Sequence, residues 1–424
     1  MAQHTTRDRC AVCHLAYLTK VMHLNSTPIC DAYVTKKHLT EKQNLYSLDL
    51  YFCGNCGLLQ ITNIISPEIL YRDYLYETSS SMGLSDHFRR YSENVIKTFS
   101  AKGCLAIDIG CNDGTLLKYF LARETKVVGI EPAMRLSNLV RAQGIPCYND
   151  FFSYALAKKI RAEHGPASVV TANNVIANIT DLDDFMQAVR TLLDDDGVFV
   201  LETGAGLDVM TNLMVDTVCH EHIYYFTVKP LLHLAQKHHM ELIDVTSITS
   251  KGGSLHVVMK PKESARPVHP SVNERRKFEQ DLGFEGVQIY QENTLKLESL
   301  RTELKQILEN ITKRGKTYAV YGAAAGVTNL MYYFDINEEV PYLVDDNPAR
   351  HGLFSPGKHI PVVSPETMYD RKPDFMLILS WRYAKPIIDK HLQYLQQGGA
   401  FIVPLPRIQI VSESGTRLDD LCSP

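Results

Sequence analysis

Apolar runs that end in polar or glycine-bearing turns recur through the middle of the chain. The first, LAIDIG from Leu105, leads directly into CNDGTLLKYF, whose tail has helical spacing. VVGIEP follows and ends near Glu131, and then come SVVTANNVIANI and GVFVLETG, each an apolar strand closed by polar residues. Strands alternating with helical stretches predict a parallel α/β sheet. MELIDVTSI and SLHVVMK, joined by TSKGG, predict an antiparallel hairpin at its end. Residues 262–315 are charged and carry helical periodicity in VNERRKFEQDLGF and LKLESLRTELKQILENI, which predicts a helical connector. Beyond it TYAVYGAAAGVTNLMYYF repeats strand, small-residue turn and helix, and YLVDDNP, DFMLILSW and GAFIVPLP add strands. A second Rossmann-like unit is expected there.

Composition narrows the class. A chain of 424 residues is long enough for two or three domains, and 45% hydrophobic with 22% charged residues is near the soluble globular average. No apolar run approaches the ~18 residues of a membrane helix, so no membrane partner is expected. MAQHTTRDRC lacks the apolar core of a secretory signal, and a cytoplasmic location is the expectation. A net charge of −4 with evenly spread Lys and Arg disfavours a nucleic-acid partner.

Of ten cysteines, four form two C-x-x-C knuckles, Cys10 with Cys13 and Cys53 with Cys56; Cys30, Cys104, Cys111, Cys147, Cys219 and Cys422 stand singly. Four thiolates match a closed, structural zinc site, and Gly54 and Gly57 bracket the second knuckle as a tight turn. The loop over residues 14–52 is longer than the about 15–20 residues of simple zinc motifs. With all four ligands used, such a metal organises the fold and does not catalyse.

The central βα unit carries the cofactor chemistry. An acidic side chain at the tip of the second strand, ~20 residues after the first turn, is placed to bind both hydroxyls of a ribose. Asp108-x-Gly110 followed by Glu131, without G-x-G-x-x-G, fits S-adenosylmethionine better than a dinucleotide. Asn112 and Asp113 are candidate partners for the methionine carboxylate and amine. Gly114, Pro132 and Phe151 complete this wall, while Asn173, Asn174, Asn178 and Glu202 sit at strand ends toward the pocket mouth. Asn173 and Asn174 serve equally well as caps of the next turn. In the second unit, Gly322 and its alanines offer a ligand close approach to the backbone, and Asp345 and Asp346 suit either a ribose or turn chemistry.

These parts, in this order, resemble the sugar C-methyltransferases that act on nucleotide-linked 4-keto-deoxysugars. The resemblance spans nearly the whole chain: the C-x-x-C…C-x-x-CG module, DIGCNDG and the GAAAG…VDDNP tail. Tyr74, Tyr76, Ser79 and Ser81 match the family's Tyr-x-Tyr and serines, and Pro356 to Val362 its PGxxIPV segment. VCHEHIYYF holds the family's catalytic signature as His220, Glu221, His222, Tyr225 and Phe226. The resemblance implies S-adenosylmethionine as methyl donor, structural zinc, a nucleotide-sugar substrate, and methylation of carbon, at C3. His222 is implied as the base that removes a proton beside the ketone, with Glu221 and Tyr76 positioning the sugar or polarising the ketone. The expected fold class is α/β: a zinc-binding module over residues 1–70, a seven-stranded Rossmann-like class I methyltransferase domain over 71–261, and a connector with a C-terminal Rossmann-like substrate domain over 262–424. A monomer or small homo-oligomer is expected.

Three positions depart from the family. Cys219 stands where the family has Tyr, Asn178 where it has His, and Gly326 where it has Lys. A thiol is a poorer donor than a phenol, and asparagine is no base at neutral pH. A changed sugar, a changed carbon or methylation at oxygen follows from these departures. The other readings are a sugar or small-molecule O-methyltransferase, an RNA methyltransferase, which the charge opposes, and a non-catalytic nucleotide-sugar binder. A catalytic metal at the HEH cluster is disfavoured, because on a strand His220 and Glu221 face opposite sides and no HExxH spacing exists.

Overall fold

The apolar runs of the central segment form strands. In the computed structural model these are β1 (Leu105–Ile109), β2 (Lys126–Ile130), β3 (Cys147–Tyr148), β4 (Ala167–Asn173), β5 (Leu193–Gly204), β6 (Met240–Ile248) and β7 (Ser254–Pro261). The structure describes residues 3–72, 74, 76–81, 83–99, 103–249, 252–336 and 340–413; Ser250 and Lys251 of the predicted turn and Cys422 lie outside them. All five residues of β1 are buried, as a parallel strand covered on both faces requires.

The sheet order is β3-β2-β1-β4-β5-β7-β6, with β7 antiparallel to both β5 and β6. This is the seven-stranded class I methyltransferase sheet with its closing hairpin. The order reverses between β1 and β4, which opens a crevice at their carboxyl ends. The register sets Asp108 beside Gly129 and Thr171, Gly129 beside Cys147, and Glu202 between Asn173 and His256. Helix Leu84–Phe99 contributes Phe88, Tyr91 and Val95 to a core that includes Leu117, Phe120 and Val198.

By internal contacts the chain forms two compact units. The first comprises Met1–Thr19, Tyr51–Asp208 and Glu221–Val287; the second comprises Lys20–Leu50, Val209–His220 and Gln288–Pro424. The predicted connector is helical at Ser271–Asp281 and Gln288–Lys313. Among the described residues no helix is long and apolar enough to cross a membrane.

The second unit carries β8 (Tyr318–Tyr321), β9 (Leu343–Val344), β10 (Val362–Val363), β11 (Phe375–Ile378), β12 (Ala400–Val403) and β13 (Gln409–Ser412). Their order, β10-β9-β8-β11-β12-β13 with only β13 antiparallel, is the expected second Rossmann-like sheet. The turn after β8 differs from its ligand-cradle reading. A Cβ at Gly322 would lie 2.2 Å from Ser380 Oγ, so the chain's own serine fills the space beside this glycine. Asp345 accepts from the Ala323 and Asn347 backbone N–H groups at 2.7 and 2.8 Å, and Asp346 accepts from the Tyr321 hydroxyl at 3.0 Å. Asp345 therefore performs turn chemistry, while Asp346 is engaged by the Tyr321 hydroxyl and by Lys390.

Gly322 also sits at φ 114°, where a side chain is strained. Gly322→Ala is expected to destabilise the second unit by about 2–4 kcal/mol, from backbone strain plus overpacking. Thermal denaturation followed by circular dichroism checks this, and an unchanged midpoint contradicts the tight fit with Ser380.

Candidate functional site

The crevice holds a cavity of about 460 Å³, lined within the first unit by the ends of β1, β2 and β4, by Ser66, Pro67, Glu68, Tyr71, Tyr74, Tyr76 and Thr78, and by Leu84 and Phe88 of helix Leu84–Phe99. Asp108, Gly110, Asn112, Glu131, Pro132, Phe151, Asn173, Asn174 and Asn178 all lie in its wall, as does Tyr76. Asp113 and Gly114 do not line it, although Asp113 holds part of its wall.

The turn after β1 is built on backbone capture. Gly110 has φ 69°, and a Cβ there would lie 2.6 Å from Val175 Cγ2. Its N–H and that of Cys111 donate to the Ile130 carbonyl at 2.8 and 3.1 Å. The Glu131 carboxylate then accepts from the backbone N–H groups of Asn112 and Ala133, both at 2.9 Å. Burial raises its pKa in spite of these bonds. Burial also pushes the Asp108 carboxyl up to about 7; the Thr171 hydroxyl, donating at 2.6 Å, opposes this and the Glu131 charge adds to it. Two buried acids with raised pKa values form a wall that favours a cationic ligand.

Asn112 and Asp113 reach to the segment above the turn. Asn112 Oδ1 accepts from Thr78 N at 2.8 Å and Asp113 Oδ2 from Ser79 N at 2.8 Å, while Asn112 Nδ2 donates to the Tyr76 carbonyl at 3.0 Å. These side chains tie the Tyr76–Ser79 segment over the turn; Asn112 lines the cavity as well, and Asp113 does not. Tyr76 in turn shares a 2.7 Å hydroxyl hydrogen bond with Ser81. At the rim, Arg72 stacks 4.5 Å above the Phe151 ring and donates to the Pro132 carbonyl at 3.3 Å.

The asparagines fit the pocket reading. Asn178 Oδ1 and both amide atoms of Asn173 are buried without a protein partner among the described residues; the nearby Tyr91 hydroxyl donates instead to the Val200 carbonyl at 3.4 Å. Such orphaned groups call for a ligand or water. Asn174 takes φ 58° and donates its N–H to the Glu202 carbonyl at 2.7 Å, so it shapes the turn as well as the wall. Glu202 does not reach the cavity. Its carboxylate accepts from His87 Nε2 at 2.9 Å with His256 3.5 Å away. Burial works against its charge, but the two imidazoles outweigh burial and hold it below the usual carboxylate value. Sequence reasoning missed this cluster, and Tyr71 in the wall; the aromatic spacing of YRDYLY was the available signal for Tyr71.

The HEH element is a turn, not a strand; only Tyr224–Tyr225 beyond it are extended. His220 is 2% exposed, its Nε2 lies 3.2 Å from the Tyr46 carbonyl, its Nδ1 has no hydrogen-bond partner among the described residues, and burial lowers it to about 4. Cys219 is buried, and Glu221 and His222 are half-buried. None of these four side chains lines the cavity, but their neighbours adjoin it. The Tyr71 hydroxyl donates to the Glu221 carbonyl at 3.1 Å, and Ile223 N donates to the Ala177 carbonyl at 2.7 Å, next to Asn178. Near Gly326, where the family has Lys, a Cβ would meet the Asp216 carbonyl at 3.0 Å; Asp216 bonds to Trp381 Nε1 at 3.2 Å and pairs with Arg382 at 3.0 Å.

The Sγ atoms of Cys10, Cys13, Cys53 and Cys56 lie within 4.8 Å of one another, with 3.4 Å from Cys10 to Cys56 and 3.5 Å from Cys13 to Cys53. Tetrahedral zinc–thiolate bonds of about 2.3 Å need sulfurs about 3.8 Å apart, so the four fit zinc. Hydrogen bonding with Cys53, with burial behind it, raises the Cys10 thiol above the ordinary cysteine value. No other metal-binding group of His, Cys, Asp or Glu occurs among the described residues. The knuckle is tied directly to the HEH element. Strand Leu59–Ile61 follows Cys56 and pairs with Tyr224–Tyr225, Ile61 N donates to the Ile223 carbonyl at 2.9 Å, and Arg7 donates to the Tyr224 hydroxyl at 2.7 Å.

Family models match three consecutive segments: a zinc binding domain over residues 10–71, a methyltransferase domain over 85–245 and a C-methyltransferase C-terminal domain over 249–406. The chain is 29% identical over 411 residues to the C-methyltransferase NovU of Streptomyces niveus, covering 96% of this chain and 98% of that protein. Solved structures with partial likeness include an S-adenosylmethionine-dependent methyltransferase of Clostridium acetobutylicum, at 11% identity and TM-score 0.33, covering 41% of this chain and 91% of that one. Another is the PH0226 protein of Pyrococcus horikoshii, at 14% identity and TM-score 0.36, covering 44% and 95%.

Removing zinc with a chelator, or replacing Cys53 by Ser, is expected to release the strand pairing at Leu59–Ile61 and loosen the HEH turn. Hydrogen–deuterium exchange checks this: amides of Ile61 and Tyr224–Tyr225 lose protection together. Unchanged protection after complete zinc loss contradicts the coupling.

Proposed function

Because the chain is an S-adenosylmethionine-dependent C-methyltransferase related to NovU, we propose that it methylates a nucleotide-linked 4-keto-6-deoxysugar at C3, the carbon beside the ketone. The bound cofactor supplies an electrophilic methyl on a sulfonium. On this reading the cofactor occupies the wall of Asp108, Gly110, Asn112, Glu131, Pro132 and Phe151, and the sugar faces Tyr76, Asn178 and the HEH turn.

The observation that carries this reading is the attachment of the HEH turn to the cavity wall at two points, Tyr71 to Glu221 and Ala177 to Ile223. A C–H beside a ketone is removed by a base whose pKa lies near neutral, and histidine meets that need. His222 takes that proton. The Tyr76 hydroxyl stabilises the charge that develops on the ketone oxygen, and Glu221 orients the sugar. The orphaned Asn178 Oδ1 accepts from a sugar hydroxyl where the family's histidine would offer an imidazole. That departure, with Cys219, keeps O-methylation as the second reading.

With purified enzyme and a panel of nucleotide 4-keto-6-deoxysugars, exchange of the C3 hydrogen for solvent deuterium is expected without methyl donor. His222→Gln should slow both exchange and methyl transfer by about 100–10,000-fold. Methyl transfer without exchange overturns C-methylation and supports the second reading. The cofactor's own positive charge favours ionised Asp108, so its affinity is expected to strengthen as pH rises through about 7. Calorimetry on either side of that pH checks this, and Asp108→Asn should flatten the profile.

A further inference from the structure

Two cysteines outside the zinc site meet beside the cofactor turn. Cys111 follows Gly110 in the turn after β1 and lines the cavity, and Cys147 lies on the edge strand β3. Their Sγ atoms are 3.9 Å apart. Gly129 makes this approach possible. It is the register partner of Cys147, and a Cβ built on it would lie 2.7 Å from the Cys111 Sγ. Its φ is not in the left-handed region, so the backbone does not call for glycine there; the thiol occupies the room its missing side chain leaves. Any side chain at 129 would collide with the Cys111 sulfur and with Leu117 Cδ1, 2.9 Å from its Cβ.

The two thiols are not alike. Hydrogen bonding with Cys111, helped by the Arg141 charge, holds Cys147 below the ordinary cysteine value despite burial, while Cys111 is raised. Arg141 Nε also donates to the Cys147 carbonyl at 2.9 Å, which keeps its charge beside this residue. Of the two, Cys147 therefore gives up its proton more readily.

We propose that Cys111 and Cys147 form a redox-modification site, at which hydrogen peroxide joins them in a disulfide that distorts the cofactor cavity. The peroxide first converts the Cys147 thiolate to a sulfenic acid. An S–O bond forms, the O–O bond breaks, and the departing hydroxide takes up a proton to leave as water. The Cys111 thiol then attacks that sulfur: the S–S bond forms, the S–O bond breaks, and the hydroxide leaves with the thiol proton as a second water. The two sulfurs supply the two electrons that the peroxide consumes. Shortening 3.9 Å to about 2.05 Å pulls Cys111 toward β3. That pull strains the bonds from Gly110 and Cys111 to the Ile130 carbonyl and from Asn112 to Glu131, which hold the turn in its place. The turn that lines the cavity is thereby displaced. This inference needs only that the cavity binds the cofactor and holds whatever the acceptor is.

The test uses full-length zinc-loaded protein and hydrogen peroxide, with three readouts: peptide mapping by mass spectrometry, S-adenosylmethionine affinity by calorimetry, and zinc release. Expected are a Cys111–Cys147-linked peptide, at least a tenfold loss of affinity restored by dithiothreitol, and slower linking when S-adenosylhomocysteine fills the cavity. In Cys147→Ala, affinity should survive the same treatment. Equal loss in that variant traces the effect to the zinc thiols and overturns the proposal, as do the absence of the linked peptide and a linked peptide with unchanged affinity. Mapping on the unmodified protein stands even where the variant fails to fold.

Discussion

A carboxylate at the tip of a second strand, capturing the backbone N–H of the turn after the first, is the interaction on which both sheets of this protein converge. In the first unit Glu131 accepts from Asn112; in the second, Asp345 accepts from Ala323. In each case a glycine of the turn, Gly110 two residues before Asn112 and Gly322 directly before Ala323, donates to the neighbouring strand's last backbone carbonyl, Ile130 or Val344. Such N–H groups at a turn into a helix have no partner within the helix and cannot be buried unpaired without cost. The acid satisfies them and fixes how far the turn stands from the adjoining strand. The chain's own side chain fills the space beside each glycine, Ser380 at Gly322 and Val175 at Gly110; what differs is that Gly110 and Val175 both line the cavity.

Once the first turn is fixed, its side chains become anchors. Asn112 and Asp113 reach back to the Thr78 and Ser79 backbones and so place Tyr76. The other side of the site is anchored from the zinc knuckle, whose outgoing strand pairs with Tyr224–Tyr225. Four thiolates on two short turns thus do more than close a small module: they set the register of the residues next to HEH. The metal contributes to the site through the backbone.

The sequence revealed whatever is local. Buried parallel strands read as apolar runs because both faces are covered, and the cysteine knuckles read as zinc ligands because their spacing is set by the turn itself. Asp345 was ambiguous, since a strand-end acid looks the same whether it faces a ligand or a backbone N–H. Glu202 was misjudged because a strand end near the crevice says nothing about an imidazole arriving from helix Leu84–Phe99 or from β7. The pairing of Leu59–Ile61 with Tyr224–Tyr225 left no trace in either segment, because register between distant strands is decided by tertiary packing.

The same limit governs the two histidines of VCHEHIYYF. In the sequence they are equivalent, each one residue from Glu221. Folding separates them. His220 is buried against Tyr46, commits Nε2 to a backbone carbonyl and is lowered to about 4, so near neutral pH it is a weak base with no route to a substrate carbon. His222 is half-buried and adjoins the residue whose N–H docks on Ala177. A base must reach the proton it removes before its basicity matters, and by that criterion the proposed role falls to His222. His220 then serves to seat the turn, and the density of metal-like ligands in this stretch reflects two separate tasks that share neighbouring positions.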